Sequence, residues 1–197
     1  MKKSVLILFA MFLVSVISFG QTNVTPGEGT LGAAIKAAAT GATLVLQSGG
    51  VYTESVDTTF FIEGKQITIK AATGYTARPV IKNLSCPTGS LMKPTIFRVG
   101  PDGGLILNGV TLDGLEPDTT THRSATNLIA FKRTTNYHAK YIKLLDCLLK
   151  NTSSNMIQGA GSEFDTSVGG FDATLDTLII KNSLFTNGSN ALNFKYV

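Results

Sequence analysis

Leu178-Ile179-Ile180-Lys181-Asn182 is the last of four similar windows along this chain. The earlier windows are Ile67-Thr68-Ile69-Lys70-Ala71, Gly104-Leu105-Ile106-Leu107-Asn108 and Ile142-Lys143-Leu144-Leu145-Asp146. Their central residues are separated by 37, 38 and 36 positions: Ile69, Ile106, Leu144 and Ile180. Such regular spacing predicts one structural unit per repeat, in which like residues of successive units stack on one another.

A second series of windows shares the pattern Asn-x-apolar-x-(apolar or Gly). Its members are Asn127-Leu128-Ile129-Ala130-Phe131, Asn155-Met156-Ile157-Gln158-Gly159 and Asn190-Ala191-Leu192-Asn193-Phe194, with Thr95-Ile96-Phe97-Arg98-Val99 as a weaker one. Apolar residues alternate with a period of two in both series, which is typical of strands, while Gly, Asn, Asp, Ser and Thr mark turns. About three strands per repeat predict an all-β solenoid, the parallel β-helix. A β-propeller is the main alternative, but the four strands of a propeller blade are not found.

Stacking in such a solenoid gives specific expectations for its core and for one corner. Three aliphatic residues are expected to form a ladder in the core: Ile106, Leu144 and Ile180. Three polar residues are expected at one inward corner, where their side chains would bond turn backbone: Asn108, Asp146 and Asn182. Asp146 is therefore interpreted as a substitute for Asn rather than as a catalytic acid.

The segment of about residues 30–40 is Ala-rich and predicts a short helix ahead of the first window. Thr30 is expected as its N-cap and Gly41 as its stop. Leu31, Ile35 and Ala38 fall on one face of such a helix. We expect the helix to cover the open end of the solenoid, which would otherwise expose its core and unpaired backbone. The coils are then expected to span about residues 42–197.

The first 20 residues have the parts of a signal peptide. Lys2 and Lys3 precede an apolar run over residues 5–19, which is short for a membrane span of about 20 residues. Small residues flank a cleavage site after Gly20. We expect export to a secreted or cell-surface location, leaving residues 21–197 as a single domain without stable membrane insertion. A retained membrane anchor is the alternative.

Charge and cysteine content exclude some classes of function. The chain has 17 Lys+Arg and 13 Asp+Glu, and loss of residues 1–20 leaves 15 basic residues against 13 acidic ones. No clustered basic run of the kind that binds nucleic acid is present, so no nucleic-acid partner is expected. Two cysteines cannot build a disulfide-dense scaffold, and the redox state of Cys86 and Cys147 is left open.

The sequence stops at Val197, three residues past Phe194 and inside an expected strand. An uncapped apolar strand at the end of a solenoid is an aggregation hazard. We therefore expect a fragment that is truncated at its C-terminus, with a partner covering this end as the alternative.

Together, the leader, the Ala-rich helix, the Gly49-Gly50-Val51-Tyr52 turn and the repeats resemble the N-terminal portion of secreted right-handed parallel β-helix proteins of the pectate-lyase-like superfamily. The opening is most similar to chondroitinase-B and alginate-lyase-type polysaccharide lyases, and to an uncharacterised bacterial β-helix domain. The resemblance covers residues 30–197 and implies cleavage of an acidic polysaccharide by β-elimination.

That chemistry requires a base, together with a cation such as calcium or basic side chains that neutralise a uronate carboxylate. In the family these groups lie on later coils, so no catalytic residue is assigned here. A non-catalytic extracellular surface, adhesion or structural module is the alternative function.

Alternation along the Asn-x-apolar strands predicts one polar outer face. Ile129 and Phe131 point inward in this register, and Ala130 points outward. The outward positions of this face and its neighbouring row are Arg98, Lys132, Gln158, Asn193 and Lys195. Guanidinium, ammonium and amide groups suit sugar hydroxyls and carboxylates, so we expect this face to bind an acidic polysaccharide. An ordinary solvated sheet face is the alternative.

A loop after the second window collects charged residues that include carboxylates, the usual calcium ligands. Its members are Asp113, Glu116, Asp118, His122 and Arg123. Their spacing does not match a known calcium loop, so no metal site is assigned. His138 and Lys140 have no visible partner for general-base work and are expected in an exposed loop.

Overall fold

A computed structural model describes residues 20–54, 59–83, 95–115, 125–131, 137–159 and 173–194. These residues form one helix, α1 (Thr30–Ala37), and three sheets. The first sheet contains, in spatial order, β1 (Gln21–Val24), β3 (Thr43–Leu46), β6 (Gln66–Ala71), β9 (Gly104–Asn108), β12 (Tyr137–Leu145) and β15 (Ala173–Lys181). The second contains β2 (Gly27–Glu28), β4 (Val51–Glu54), β7 (Val80–Asn83), β10 (Thr111–Asp113), β13 (Leu148–Lys150) and β16 (Leu184–Thr186). The third contains β5 (Phe60–Ile62), β8 (Phe97–Val99), β11 (Ala125–Phe131), β14 (Thr152–Gln158) and β17 (Asn190–Asn193).

The chain visits the three sheets in turn and then returns to the first, so that each circuit forms one coil. Each described strand pairs in parallel with its equivalents in the adjacent coils, and among the described strands none pairs with its neighbour along the chain. This arrangement is a right-handed parallel β-helix, which confirms the predicted fold. It excludes the propeller, because propeller blades pair consecutive strands.

The core of the first sheet is an aliphatic ladder with one residue per coil. Its members are Leu44, Ile69, Leu107, Leu144 and Ile180. The first four are buried, and Ile180 packs against the core while partly exposed. Ile69, Leu144 and Ile180 therefore stack as predicted. The prediction for Ile106 was wrong, because it pairs with Thr68 and Lys143 and points outward.

At the corner between the first and second sheets, the residue from the Gly104–Asn108 window is likewise one position away from the predicted one. Asn108 pairs with Leu145 inside the sheet and is exposed, so its predicted place at the corner was wrong. The corner column is instead Gly109, Asp146 and Asn182, with φ values of 69°, 53° and 52°. These left-handed conformations turn the chain, and they suit Gly, Asn and Asp better than other residues. The corner also faces outward rather than inward, since Asn182 is exposed and Asp146 half-exposed.

Side-chain amides link successive coils at the second corner, between the second and third sheets. The Asn187 amide donates to Asn151 Oδ1 at 2.7 Å, and the Asn151 amide donates to Asp113 Oδ1 at 2.7 Å. Asp113 Oδ2 also lies 3.1 Å from Lys150 Nζ. The ladder of side chains through Asp113, Asn151 and Asn187 therefore holds the turns of successive coils in register.

A second amide ladder lies inside the third sheet. Asn127, Asn155 and Asn190 are paired in register on β11, β14 and β17. The Asn155 amide donates to Asn127 Oδ1 at 3.4 Å, and the Asn190 amide donates to Asn155 Oδ1 at 3.0 Å. Asn127 and Asn155 are buried. The Asn that opens each window of the second series therefore satisfies its neighbour in the next coil, as buried amides require.

Helix α1 covers one end of the solenoid with the face that was predicted. Leu31 and Ile35 are buried in the core, and Ala38 packs against it. The N-cap is Gly29, with φ 72°, so the prediction of Thr30 was wrong. Thr30 is the first helical residue, because the left-handed turn into the helix favours Gly. Strand β1 precedes the helix and pairs with β3, so one coil starts ahead of the expected first strand.

Residues 1–19, which hold most of the predicted signal peptide, lie outside the described residues. In the described part of the chain no helix has the length and apolar character needed to span a membrane. Cys147 is buried and forms no disulfide, and Cys86 lies outside the described residues.

Candidate functional site

The outer face of the third sheet carries the row predicted from the second series of windows. Arg98 pairs with Ala130, Ala130 with Gln158, and Gln158 with Asn193. The core residues Ile129 and Phe131 flank Ala130 and are buried as predicted, but Ala130, expected on the outer face, is buried as well. Register pairing therefore brings Arg98, Gln158 and Asn193 into one row. Lys132 and Lys195 lie outside the described residues.

Aromatic packing beneath this row supports its strands. The rings of Phe60 and Phe97 lie 5.0 Å apart between centroids, and those of Phe131 and Phe194 lie 6.4 Å apart with an edge-on geometry. Such pairs contribute stabilisation beyond simple area burial. The outer side chains of β8 and β17 therefore lie on strands whose inner aromatic rings are packed together.

Phe61 extends the row by one coil and was missed in the sequence. It pairs with Arg98 across β5 and β8, and 48% of its surface is exposed. The sequence pattern that could have revealed it is the apolar run Phe60-Phe61-Ile62, which pairs in register with Phe97-Arg98-Val99. An exposed aromatic ring beside a guanidinium offers an apolar surface and a cation side by side.

A second polar face lies on the outside of the first sheet and was also missed. Lys70, Lys143 and Lys181 occupy outward positions on β6, β12 and β15. All three lie in the repeat windows, one place away from core residues, so alternation could have placed them outward. Lys143 Nζ lies 4.6 Å from the centre of the Tyr141 ring, within the range of a cation–π contact.

Asp146 occupies a fully paired position at the first corner. It accepts a hydrogen bond from the Tyr75 hydroxyl, and its Oδ1 lies 2.6 Å from Arg78 Nη2. The hydrogen bond from Tyr75 and then that from Arg78 lower the pKa of Asp146. The same bond to Asp146 is the main cause that raises the pKa of Tyr75. A carboxylate held ionised in this way suits a structural corner and not a proton donor.

Of the charged residues at and after the end of β10, Asp113 lies within the described residues. The others lie outside them: Glu116, Asp118, His122 and Arg123. Asp113 accepts hydrogen bonds from Asn151 and from the backbone N–H of Leu115, and pairs with Lys150. No three His, Cys, Asp or Glu side chains of the described ranges gather as a metal site. Asp113, whose carboxylate is already paired with these partners, does not fit a calcium site, and no chemical step is derived through calcium.

His138 and Lys140 lie within β12, so the expectation of an exposed loop was wrong. The Lys140 ammonium lies 3.4 Å from Asp102. His138 is exposed, and its Nδ1 shares a hydrogen bond with the Thr174 hydroxyl of the next coil. Both side chains therefore link neighbouring coils at the start of the first sheet.

Comparison with solved structures finds a polysaccharide lyase. The PL6 family alginate lyase AlyGC aligns with 25% sequence identity and a TM-score of 0.54, over 84% of this chain and 24% of the lyase. An arginine-to-alanine mutant of the same enzyme aligns over the same shares, with 23% identity and a TM-score of 0.52. The chain thus spans about a quarter of the length of the lyase that it matches. No protein-family model matches the sequence, and no curated protein matches it significantly.

Proposed function

We propose that this chain is the N-terminal part of an exported, polysaccharide-lyase-like protein and that it binds an acidic polysaccharide on the outer face of its third sheet. The observation that carries the proposal is the row of Arg98, Gln158 and Asn193, which successive coils place in register. The shared fold with an alginate lyase supports the choice of an acidic polymer.

The chemistry of the row fits a uronate chain. A guanidinium can bind a carboxylate through two parallel N–H donors, and such charge-assisted bonds are stronger than neutral ones. The amides of Gln158 and Asn193 each offer a donor and an acceptor, which matches the dual character of a sugar hydroxyl. The exposed Phe61 ring gives the apolar side of a sugar ring a surface to pack on.

Successive strands of a sheet are about 4.8 Å apart, so the row presents its groups at a regular interval. A polymer that crosses the strands would therefore meet Phe61 and Arg98 on two adjacent coils and Gln158 and Asn193 on two more, with the buried Ala130 between the two pairs. This repetition suits an extended polysaccharide better than a compact ligand, which binds in a closed pocket.

Binding is tested with the full chain and immobilised alginate, pectate, chondroitin and neutral dextran. We expect binding to one or more uronate polymers and none to dextran. Arg98→Ala should weaken it about tenfold or more, as loss of a charge-assisted hydrogen bond predicts. Arg98→Lys should retain part of the affinity, and Lys82→Ala, on the second sheet, should have no effect. Equal binding by wild type and Arg98→Ala would overturn the proposed site.

Turnover is tested separately, by following the ultraviolet absorbance of unsaturated products with each polymer, with and without added calcium. A rise in absorbance would assign lyase activity to this chain. Binding without any rise would favour the non-catalytic surface or adhesion module.

Export is tested by expressing the whole sequence in a bacterial host and fractionating the cells. Protein in the periplasm or medium with Gln21 as its first residue would support the predicted cleavage after Gly20. Protein held in the membrane at full length would favour the retained anchor.

A further inference from the structure

We propose that the outer face of the first sheet is a second binding surface for the same class of polymer, an extended acidic polysaccharide. This lysine face is defined by Lys70, Lys143 and Lys181. It lies on a different sheet from Arg98, and its assignment to a polyuronate rests on the proposed function.

The register of the first sheet sets the spacing of the three ammonium groups. Lys70 and Lys181 belong to one row, with Asn108 and Leu145 between them. They are three strands apart, which is about 14 Å at the usual strand spacing. Lys143 lies in the neighbouring row, on the strand next to that of Lys181. The positive charges are thus spread across the coils rather than along one strand.

The charge of this sheet is almost entirely positive. Its six strands contain four lysines and a single acid, Asp176. Lys140 is paired with Asp102 at 3.4 Å. The other three lysines, which define the lysine face, form no ion pair with any described residue. Cations that have no ion-pair partner among the described residues favour a binding partner that carries repeated negative charges.

The position of Lys143 is supported by the side chains next to it. Gly104 has no side chain, and a Cβ there would lie 2.8 Å from Tyr141 Cζ, so the Tyr141 ring can lie across it. The Tyr141 hydroxyl reaches Gln66 Oε1 at 3.5 Å. The Lys143 ammonium then rests over this ring at 4.6 Å. A cation–π contact holds the ammonium near the surface without cancelling its charge.

The remaining outward positions suit a sugar chain. Amide and hydroxyl groups lie between the lysines, on Gln66, Thr68, Asn108 and Thr177, and aliphatic surface lies on Ile106, Leu145 and Ile179. The inner strands of the sheet are hydrogen-bonded on both sides, so a partner cannot add as a further strand there and must be recognised by side chains. Single-stranded nucleic acid is favoured less. Among the described side chains around the lysine face, the ring available for base stacking is that of Tyr141, and Lys143 already covers it.

The experiment measures binding of the full chain to alginate, pectate and single-stranded DNA as a function of salt concentration. The test variant is Lys143→Gln with Lys181→Gln, and the matched control is Lys36→Gln with Lys82→Gln, which removes the same charge from the helix and the second sheet. Arg98→Ala is measured in parallel. Circular dichroism and urea unfolding confirm that each variant is folded.

We expect the test variant to bind the uronate polymer about fivefold more weakly than wild type, as the loss of two surface ion pairs predicts, and with a shallower salt dependence. The control should bind as wild type does. If Arg98→Ala weakens binding and the test variant does not, the lysine face is overturned while the proposed function stands. If only the test variant weakens binding, the lysine face stands and the Arg98 row fails. Tighter binding to DNA than to both uronates would overturn the polysaccharide assignment.

Discussion

Glu54 and Lys65 bind opposite ends of helix α1. Glu54 Oε1 accepts a hydrogen bond from the backbone N–H of Gly32 at 2.9 Å, in the first turn of the helix. Lys65 Nζ donates to carbonyls at the last turn, the closest being that of Ile35 at 2.9 Å. An acid at the N-terminus and a base at the C-terminus both match the helix dipole. The coil beneath the helix therefore supplies a hydrogen-bonding partner at each end of the helix.

Lys65→Met is expected to lower the free energy of unfolding by about 1–2 kcal/mol, because its ammonium also reaches the carbonyls of Lys36 and Ala38 at 3.3 Å. Lys36→Met is the matched control, since Lys36 lies at the same helix end but forms no side-chain bond with a described residue. Urea unfolding measures both. Equal destabilisation by the two variants would contradict the capping role of Lys65.

Stability should also depend on the protonation of Glu54. Burial is the main cause that raises its pKa; the hydrogen bond from Gly32 lowers it, and the charge of Glu28 raises it. A raised pKa means that the contribution of Glu54 is fully present below the ordinary glutamate pKa of about 4.3 and is lost as pH rises through the raised value.

Glu54→Gln does not titrate, so its free energy of unfolding relative to wild type should increase as pH rises through this window. Urea unfolding at a series of pH values from about 3 to about 7 tests this. A relative stability that falls with rising pH would show that the folded protein favours the charged form instead.

Gly109→Ala should be more destabilising than Gly74→Ala. Both glycines have left-handed backbones, with φ values of 69° and 71°. A Cβ at Gly109 would lie 2.9 Å from the Tyr75 ring, whereas one at Gly74 would meet nothing within 4 Å. We expect backbone strain to lower the free energy of unfolding by about 1 kcal/mol at either site, and the contact with Tyr75 to lower it by about 1–2 kcal/mol more at Gly109.

Thermal or urea unfolding of both variants measures the difference. NMR titration of Asp146 gives a second readout, since displacement of Tyr75 should let the pKa of Asp146 rise. Equal losses of stability, with no change at Asp146, would rule out the contact over Gly109.

Asn155→Ala should cost about 1–2 kcal/mol, because it removes the side-chain amide that bonds the buried Asn127 of one neighbouring coil and the exposed Asn190 of the other. Asn155 donates from its backbone N–H and its amide to Asn127, and accepts from Asn190. Asn108→Ala, at an exposed position, should change stability by less than about 0.5 kcal/mol. Denaturant unfolding measures the loss of stability in each variant. Similar losses for Asn155→Ala and Asn108→Ala would mean that the amide ladder does not stabilise the fold.

The fold could be predicted because most windows alternate clearly. Lys143 between Ile142 and Leu144 fixes which residues face inward. Leu105, Ile106 and Leu107 are three apolar residues in a row, so alternation alone cannot set their phase, and a shift by one residue exchanges the two faces of a strand. That ambiguity explains the errors at Ile106 and Asn108.

The Arg98 row could be predicted because polar residues occupy the variable places of the Asn-x-apolar windows. The contacts of Glu54 and Lys65 could not, since they join residues 22 to 30 positions apart across a helix whose orientation depends on packing. The N-cap was misplaced for a local reason: Gly29 adopts a φ that Thr30 would adopt only at a cost.

The intervals along the aliphatic ladder decrease from 38 to 37 to 36 residues between Ile69, Leu107, Leu144 and Ile180, yet the strands stay in register. Changes in chain length are therefore absorbed by the connections between sheets, while hydrogen bonding sets the advance of each turn at about 4.8 Å. The spacing between coils in the solenoid therefore does not depend on how many residues connect one strand of a sheet to the next. Loops can therefore gain or lose residues without changing the distance between the side chains that either outer face presents to a polymer.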